Sequence, residues 1–209
     1  MWAKHKQQTG FTIVELLIVI VIIGILAAIT IVAFNGIQER SRASAVASDI
    51  SSNVKVAKLV SASTGNAPTT VDVLQSSSKM TTSQGVYKLS TFCASSQGYA
   101  LAAETITGNK YYSLNGAASI QDNNIDVTNA CQGLGVTSAD KIFLGMPSTS
   151  CAAENGTCSV SGTASVAYGS LALGKFNAKK DLTGPVSCTN TFFGDPASGY
   201  GKACYILAY

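Results

Sequence analysis

Histidine is nearly missing from this chain of 209 residues: His5 is the only one. Neither a Ser-His-Asp nor a Cys-His arrangement can therefore be assembled from the body of the chain. Tryptophan is equally scarce, with Trp2 alone, which removes the broadest aromatic face for stacking on a ring-shaped ligand. Charge is thin, at 12% of residues. From Ala62 onward lysines and carboxylates balance, so no basic footprint for nucleic acid exists. No G-x-x-x-x-G-K-[ST] loop is present to cradle phosphates, and no two of the scattered acidic residues suggest a glycosidase pair. No C-x-x-C spacing occurs, which argues against zinc. These absences point away from an enzyme, a cofactor and a metal.

What the chain does have is one long apolar run. GFTIVELLIVIVIIGILAAITIVAF begins at Gly10, and from Phe11 to Phe34 Glu15 is the only charge. A helix over that stretch would be roughly 36 Å long, enough for the roughly 30 Å hydrocarbon core of a bilayer. Lys4, His5 and Lys6 precede it, so the positive-inside bias puts the N-terminus in the cytoplasm and everything after Phe34 outside. A secretory signal would carry its small-residue cleavage site after the apolar region. Here Gly10 precedes it, and a cut there would remove the basic leader and keep the helix.

The order basic leader, Gly10, then Phe11-Thr12-Ile13-Val14-Glu15 and an apolar helix resembles the type IV prepilin signature, over Gly10 to Ile37. That resemblance implies cleavage between Gly10 and Phe11 by a prepilin peptidase, which also methylates the new amine. Removing ten residues from 209 leaves 199. It further implies insertion in the cytoplasmic membrane as a precursor and handling by an inner-membrane assembly platform. The end state would be a helical extracellular fibre of identical copies, serving adhesion or motility. Glu15 would pair with the terminal amine of Phe11 in a neighbouring subunit. The charge has physical sense of its own. A carboxylate in the bilayer core costs about 2.5 kcal/mol or more, so such residues serve a function. Near a helix start it also suits the dipole. In one respect the chain departs from many relatives, which bend their helix at a proline where this chain has Val32. Gly24, a weak helix former, is then the expected place for local unwinding in a fibre.

The helix is expected to continue to about Ser61. Ala43, Val46, Ile50, Val54 and Ala57 recur at helical spacing with Arg42, Asp49 and Lys55 between them, and Gly65, Asn66 and Pro68 stop it. Short β-like runs follow at 85–90, 99–103, 110–114, 141–144, 159–168 and 204–207. Tyr87, Leu89, Tyr99, Leu101, Tyr111, Ile142, Leu144, Val166 and Ile206 are the expected core. Lys175, Lys179 and Lys180 read as a solvated basic loop. The fold class is α+β: a long N-terminal helix, membrane-spanning over 11–34 and amphipathic over 35–61, on a mainly antiparallel sheet. The ladle shape is what the pilin resemblance implies. The expected organisation is leader 1–10, helix 11–61, β-rich head 62–146, and a cysteine-rich module, or the last part of the head, over 147–209.

All six cysteines follow the apolar helix: Cys93, Cys131, Cys151, Cys158, Cys188 and Cys204. An even number in an exported domain favours disulfides, though six cysteines allow 15 pairings and sequence does not choose. Local loop closure favours Cys93–Cys131, Cys151–Cys158 and Cys188–Cys204. The resemblance to pilins implies that the last pair brackets a variable surface loop. The C-x6-C from Cys151, Tyr168-Gly169, Cys188-Thr189-Asn190 and Phe193-Gly194-Asp195-Pro196 resemble a small cysteine-rich module of some secreted bacterial proteins, carbohydrate-active ones among them. That second resemblance implies a head that binds a glycan or host-cell surface through Tyr168, Phe192, Phe193 or Tyr200, unless these fill a small core. Two weaker patterns complete the reading. Asp122, Asn124, Asp126 and Thr128 alternate like the start of a calcium loop but lack its glycine and final glutamate. Asn155-Gly156-Thr157 is both a glycosylation sequon and a natural turn. A minor pilin or tip adhesin, and a pseudopilin of a type II secretion or competence system, share the N-terminal pattern with a major fibre subunit.

Overall fold

The computed structural model describes residues 11–69, 80, 82–95, 98–136, 140–146 and 149–207. The leader, including Gly10, lies outside them. The fold is α+β. The first element, α1, runs Ile13–Thr64 without a break through Gly24 and Val32. Its first half is rich in Ile and Val, which are only middling helix formers. A helix nevertheless satisfies every backbone group internally, which an apolar surrounding demands. From Phe11 to Phe34 every large apolar side chain is exposed in the single chain. Among the described residues α1 is the one helix long and apolar enough to cross a membrane. Its end follows the stop signals. Gly65 adopts a left-handed φ of 73° and its N–H donates to Ser61 O at 2.9 Å, a glycine cap.

The chain divides into two compact units at Ser41–Arg42. In the second, Val46, Ile50, Val54, Ala57 and Val60 of α1 form one buried stripe, with Ala43 packed at its edge. Asn53 is buried on the same stripe, a polar member that periodicity did not anticipate. Asp49, beside the stripe, accepts hydrogen bonds from Ser83 N (2.7 Å), Ser83 Oγ (3.1 Å) and Tyr87 Oη (2.7 Å). A charge that falls between the apolar positions of the stripe thus anchors the entry to the first strand.

Among the described residues, nine strands make two antiparallel sheets. The first comprises β1 Tyr87–Ser95, β2 Gly98–Thr105, β3 Lys110–Leu114, β4 Ile120–Gln121 and β5 Asp140–Phe143, in the order β4-β3-β2-β1-β5. The second comprises β6 Ala152–Ala153, β7 Thr157–Ser170, β8 Lys175–Ser187 and β9 Ala203–Ile206, in the order β6-β9-β7-β8. A short helix, α2 (Ala130–Gly133), lies between β4 and β5, and another, α3 (Asn190–Phe193), between β8 and β9.

Period-2 alternation explains how the second sheet works. Ala167, Phe176, Tyr205 and Leu207 point into the core shared with α1 and β1. Val166, Tyr168 and Cys204 point the other way, into a smaller core with Cys158, Val160, Val186, Cys188 and Phe193. The sheet is therefore buried on both faces over its central part. Of the expected core residues, Ile206 alone is only half-buried, packed against that smaller core.

The basic segment at 175–180 is a correction. It is strand, not loop, because Phe176 is buried and the chain pairs with β7 from Ser170↔Lys175 to Thr157↔Ser187. Lys175, Lys179 and Lys180 conceal the strand. Lys180 binds Glu104 of β2, which is 8% exposed at its side chain, and Lys179 sits 4.2 Å above the Phe192 ring. Gly169 is needed for close approach rather than for its φ. A Cβ there would lie 2.0 Å from Lys175 O and 2.6 Å from Phe176 Cδ1.

Candidate functional site

The N-terminal end of α1 is built by Thr12 and Glu15. Thr12 and Glu15 bond reciprocally. Glu15 N donates to Thr12 Oγ1 (3.2 Å), while Thr12 N and Thr12 Oγ1 donate to Glu15 Oε2 (2.9 and 2.7 Å). This is a capping box, with each residue satisfying a donor that the first helical turn leaves orphaned. The pattern T-x-x-E before an apolar run is the signal that the sequence reading passed over, and the box gives Glu15 a structural role besides any intermolecular one. Both bonds use Oε2; no described residue engages Oε1. Phe11, which would carry the new amine, is 80% exposed.

The six cysteines are joined as Cys93–Cys131, Cys151–Cys158 and Cys188–Cys204, with Cα separations of 5.4, 5.2 and 5.8 Å, inside the usual range. The first ties α2 to the middle of β1, and the other two meet in the small core. Cys151 N donates to Cys204 O at 2.9 Å, which places those two bridges side by side.

The aromatic residues considered for ligand contact divide. Tyr168 and Phe193 are buried and stacked at 5.3 Å, so they are core. Phe192 is half-buried, edge-on to Phe193 at 4.9 Å, and Tyr200 is 54% exposed. The four do not share one face for a sugar ring. Beside Tyr168 lies a polar knot. Its hydroxyl donates to Asn190 Oδ1 (2.9 Å), with Glu154 Oε1 as the alternative acceptor at 3.1 Å. Lys202, 4% exposed at its side chain, reaches Glu154 Oε1 (3.1 Å), Asp195 Oδ1 (3.4 Å), Ala197 O (3.3 Å) and Tyr200 O (3.0 Å). An ammonium so surrounded holds the 195–200 loop from within.

The knot sets a pH dependence. The Lys202 hydrogen bond, followed by that of Tyr168, holds Glu154 below its ordinary 4.5. Burial opposes the charge on Lys202, yet Glu154 and Asp195 outweigh it and hold Lys202 above its ordinary 10.5. Burial and the Glu154 carboxylate push the Tyr168 phenol up to about 12. Because Glu154 is depressed on folding, its contribution is present above its ordinary value and is lost as pH falls through the lower folded one. Because Lys202 and Tyr168 are raised, theirs is present below their ordinary values and is lost as pH rises through the higher folded ones. The melting temperature should therefore fall as the pH drops below about 4.5 and again as it rises past about 10. Glu154→Gln should flatten the acid limb; an unchanged acid limb would remove the knot from the account.

The loop from Asp122 uses its oxygens locally. Asp122 Oδ1 accepts from Asn124 N (2.9 Å), and Asp126 caps the turn at Val127–Asn129 by accepting from Thr128 N (3.0 Å). Among the described residues no cluster of three or more His, Cys, Asp or Glu could hold a metal. Asn155, at φ 66°, is exposed in the turn between β6 and β7.

Residues 5–31 match the family model described as the prokaryotic N-terminal methylation motif. No curated protein and no solved structure matches the chain. The N-terminus is thus of the prepilin type, as in type IV pilins and pseudopilins. Such a motif implies processing by a prepilin peptidase, and with the apolar helix it fits a membrane-anchored precursor of a structural assembly.

Proposed function

We propose that this chain is a structural subunit of a type IV pilus, polymerising through Phe11–Phe34 into an extracellular fibre for adhesion or motility. The observation that carries the reading is the match at residues 5–31 continuing into a helix that over Phe11–Phe34 exposes every large apolar side chain and carries one charge, Glu15. After a cut between Gly10 and Phe11, the amine of Phe11 is a cation with a reference pKa near 8. Glu15 Oε1 of a neighbour is its natural partner, since the capping box occupies Oε2. Copies of the helix then cover the apolar surface that lipid covers in the precursor. Gly24, with open space where its Cβ would be, is where the helix loosens if the fibre stretches. The partners are further copies, the peptidase and an inner-membrane platform. A minor pilin or tip adhesin is the second reading, favoured by the separate small core at the C-terminal end.

Mass spectrometry of protein sheared from the cell surface tests this. The expected species is abundant and begins at N-methylated Phe11. It should be about six mass units lighter than the reduced chain, two hydrogens for each of three disulfides. A processed chain found only in the membrane fraction would replace the reading with a pseudopilin. Gly10→Val should leave the leader attached, and a chain starting at Phe11 in that variant would refute the cleavage site.

A further inference from the structure

A cleft of about 320 Å³ opens where the two sheets meet, between the start of β1 and the kinked part of the β7–β8 ribbon. Several independent features coincide there. The β7–β8 ladder shifts register twice, between Val160 and Thr163 and between Ala164 and Val166, beside the cleft. Bulges of this kind re-aim side chains and gather next to binding sites. Across from them Asp181, a non-glycine residue, is held at a left-handed φ of 54°. That conformation is costly for a residue with a Cβ and persists where surroundings enforce it. Its carboxylate meets Lys88 Nζ at 3.4 Å, joining the second sheet to the first. Ile106, 43% exposed, and Leu207 supply an apolar wall, and Thr163 an exposed hydroxyl at the rim. The backbone beneath is fixed: Ser165 Oγ donates to Lys88 O, and Leu207 N donates to Ser165 O at 3.0 Å.

We infer that this cleft binds a neutral saccharide unit. Its volume lies at the low end of ligand pockets, the size of one or two sugar rings. The charge on its walls is balanced. An anionic ligand would meet Asp181 and a cationic one Lys88, each at a cost in repulsion. A hydroxyl both accepts and donates, so two adjacent hydroxyls can take a hydrogen bond from Lys88 and give one to Asp181 without leaving either charge unpaired. The existing pair is long and its side chains are 31% and 54% exposed, so little is lost when a ligand inserts. The C–H face of a sugar ring suits the exposed Ile106. The site lies away from Tyr168 and Phe193, and it does not depend on how the N-terminal helix assembles.

The test uses the full-length chain in detergent micelles on a printed panel of neutral glycans ending in glucose, galactose, mannose or N-acetylglucosamine, with sialylated and sulfated counterparts. Binding to a subset of the neutral glycans is expected. Asp181→Asn keeps the shape and tolerates the left-handed conformation, and Thr163→Trp fills the mouth from an exposed position. Each should weaken that binding at least tenfold while the melting temperature stays that of the parent. No binding to any neutral glycan, a preference for the anionic ones, or retention of binding in both variants would overturn the assignment. Fibre formation is read separately from sheared protein, so failure here leaves the fibre reading untouched.

Discussion

Glu15→Val should leave the leader cut and the fibre unmade. The substitution makes the helix easier to hold in a bilayer, by about 2.5 kcal/mol or more, so insertion and processing proceed. What it removes is the partner proposed for the Phe11 amine. Leaving one member of a pair in a low-dielectric contact uncompensated costs about 3–5 kcal/mol. At 1.4 kcal/mol per factor of ten, fibre yield should fall by at least about a hundredfold. The capping box complicates the variant, because valine also abandons Thr12 N and Thr12 Oγ1, both of which bond Glu15 Oε2. Thr12→Val separates the two roles. It loses the hydroxyl side of the box, worth about 1 kcal/mol, and keeps the carboxylate. Fibres should persist in Thr12→Val and vanish in Glu15→Val, read from protein sheared off cells that make each variant. Normal yield from Glu15→Val would sink the pairing.

Replacing Cys93 and Cys131 together by alanine should give the largest loss of stability in the second unit. The bridge closes a separation of 38 residues, against 16 for Cys188–Cys204 and 7 for Cys151–Cys158. Loop-closure entropy assigns these roughly 4, 3 and 2 kcal/mol. Geometry supports the same order. Cys93 is fully buried in β1, and its bridge holds the four-residue α2, too short to persist alone. Cys188 and Cys204 are buried in the small core, whereas Cys151 is exposed. For a unit of this size 1 kcal/mol moves the melting temperature by about 2–4 °C, so losses of about 8–16, 6–12 and 4–8 °C are expected. Thermal unfolding followed by circular dichroism would check the order. A Cys151/Cys158 variant that melts below the Cys93/Cys131 one would refute it.

The parts legible in the sequence were those governed by local rules. The apolar run, its one carboxylate and its flanking glycine identified the N-terminal segment because membrane insertion and peptidase cleavage act on linear sequence. The stop at Gly65 and the stripe from Val46 to Ala57 followed from backbone conformation and helical period. The strand at 110–114 alternates plainly, Tyr111 buried and Tyr112 only partly, and was placed correctly. β8 was not, because Lys179, Lys180 and Asp181 interrupt its apolar pattern. They are accommodated only because Glu104, Phe192 and Lys88 come from elsewhere in the chain.

By itself, then, the sequence determined that this protein carries a prepilin-type start, has an N-terminal helix long and apolar enough to cross a membrane, and places all its cysteines beyond the apolar run. Tertiary structure alone decided that the C-terminal sheet is buried on both faces over its central part. It decided as well that Tyr168 and Phe193 are core rather than surface, and that a balanced charge pair faces a cleft between the sheets. Each of those depends on residues far apart in the chain meeting in space. Periodicity reports which face of an element is apolar, but not which other element will cover it.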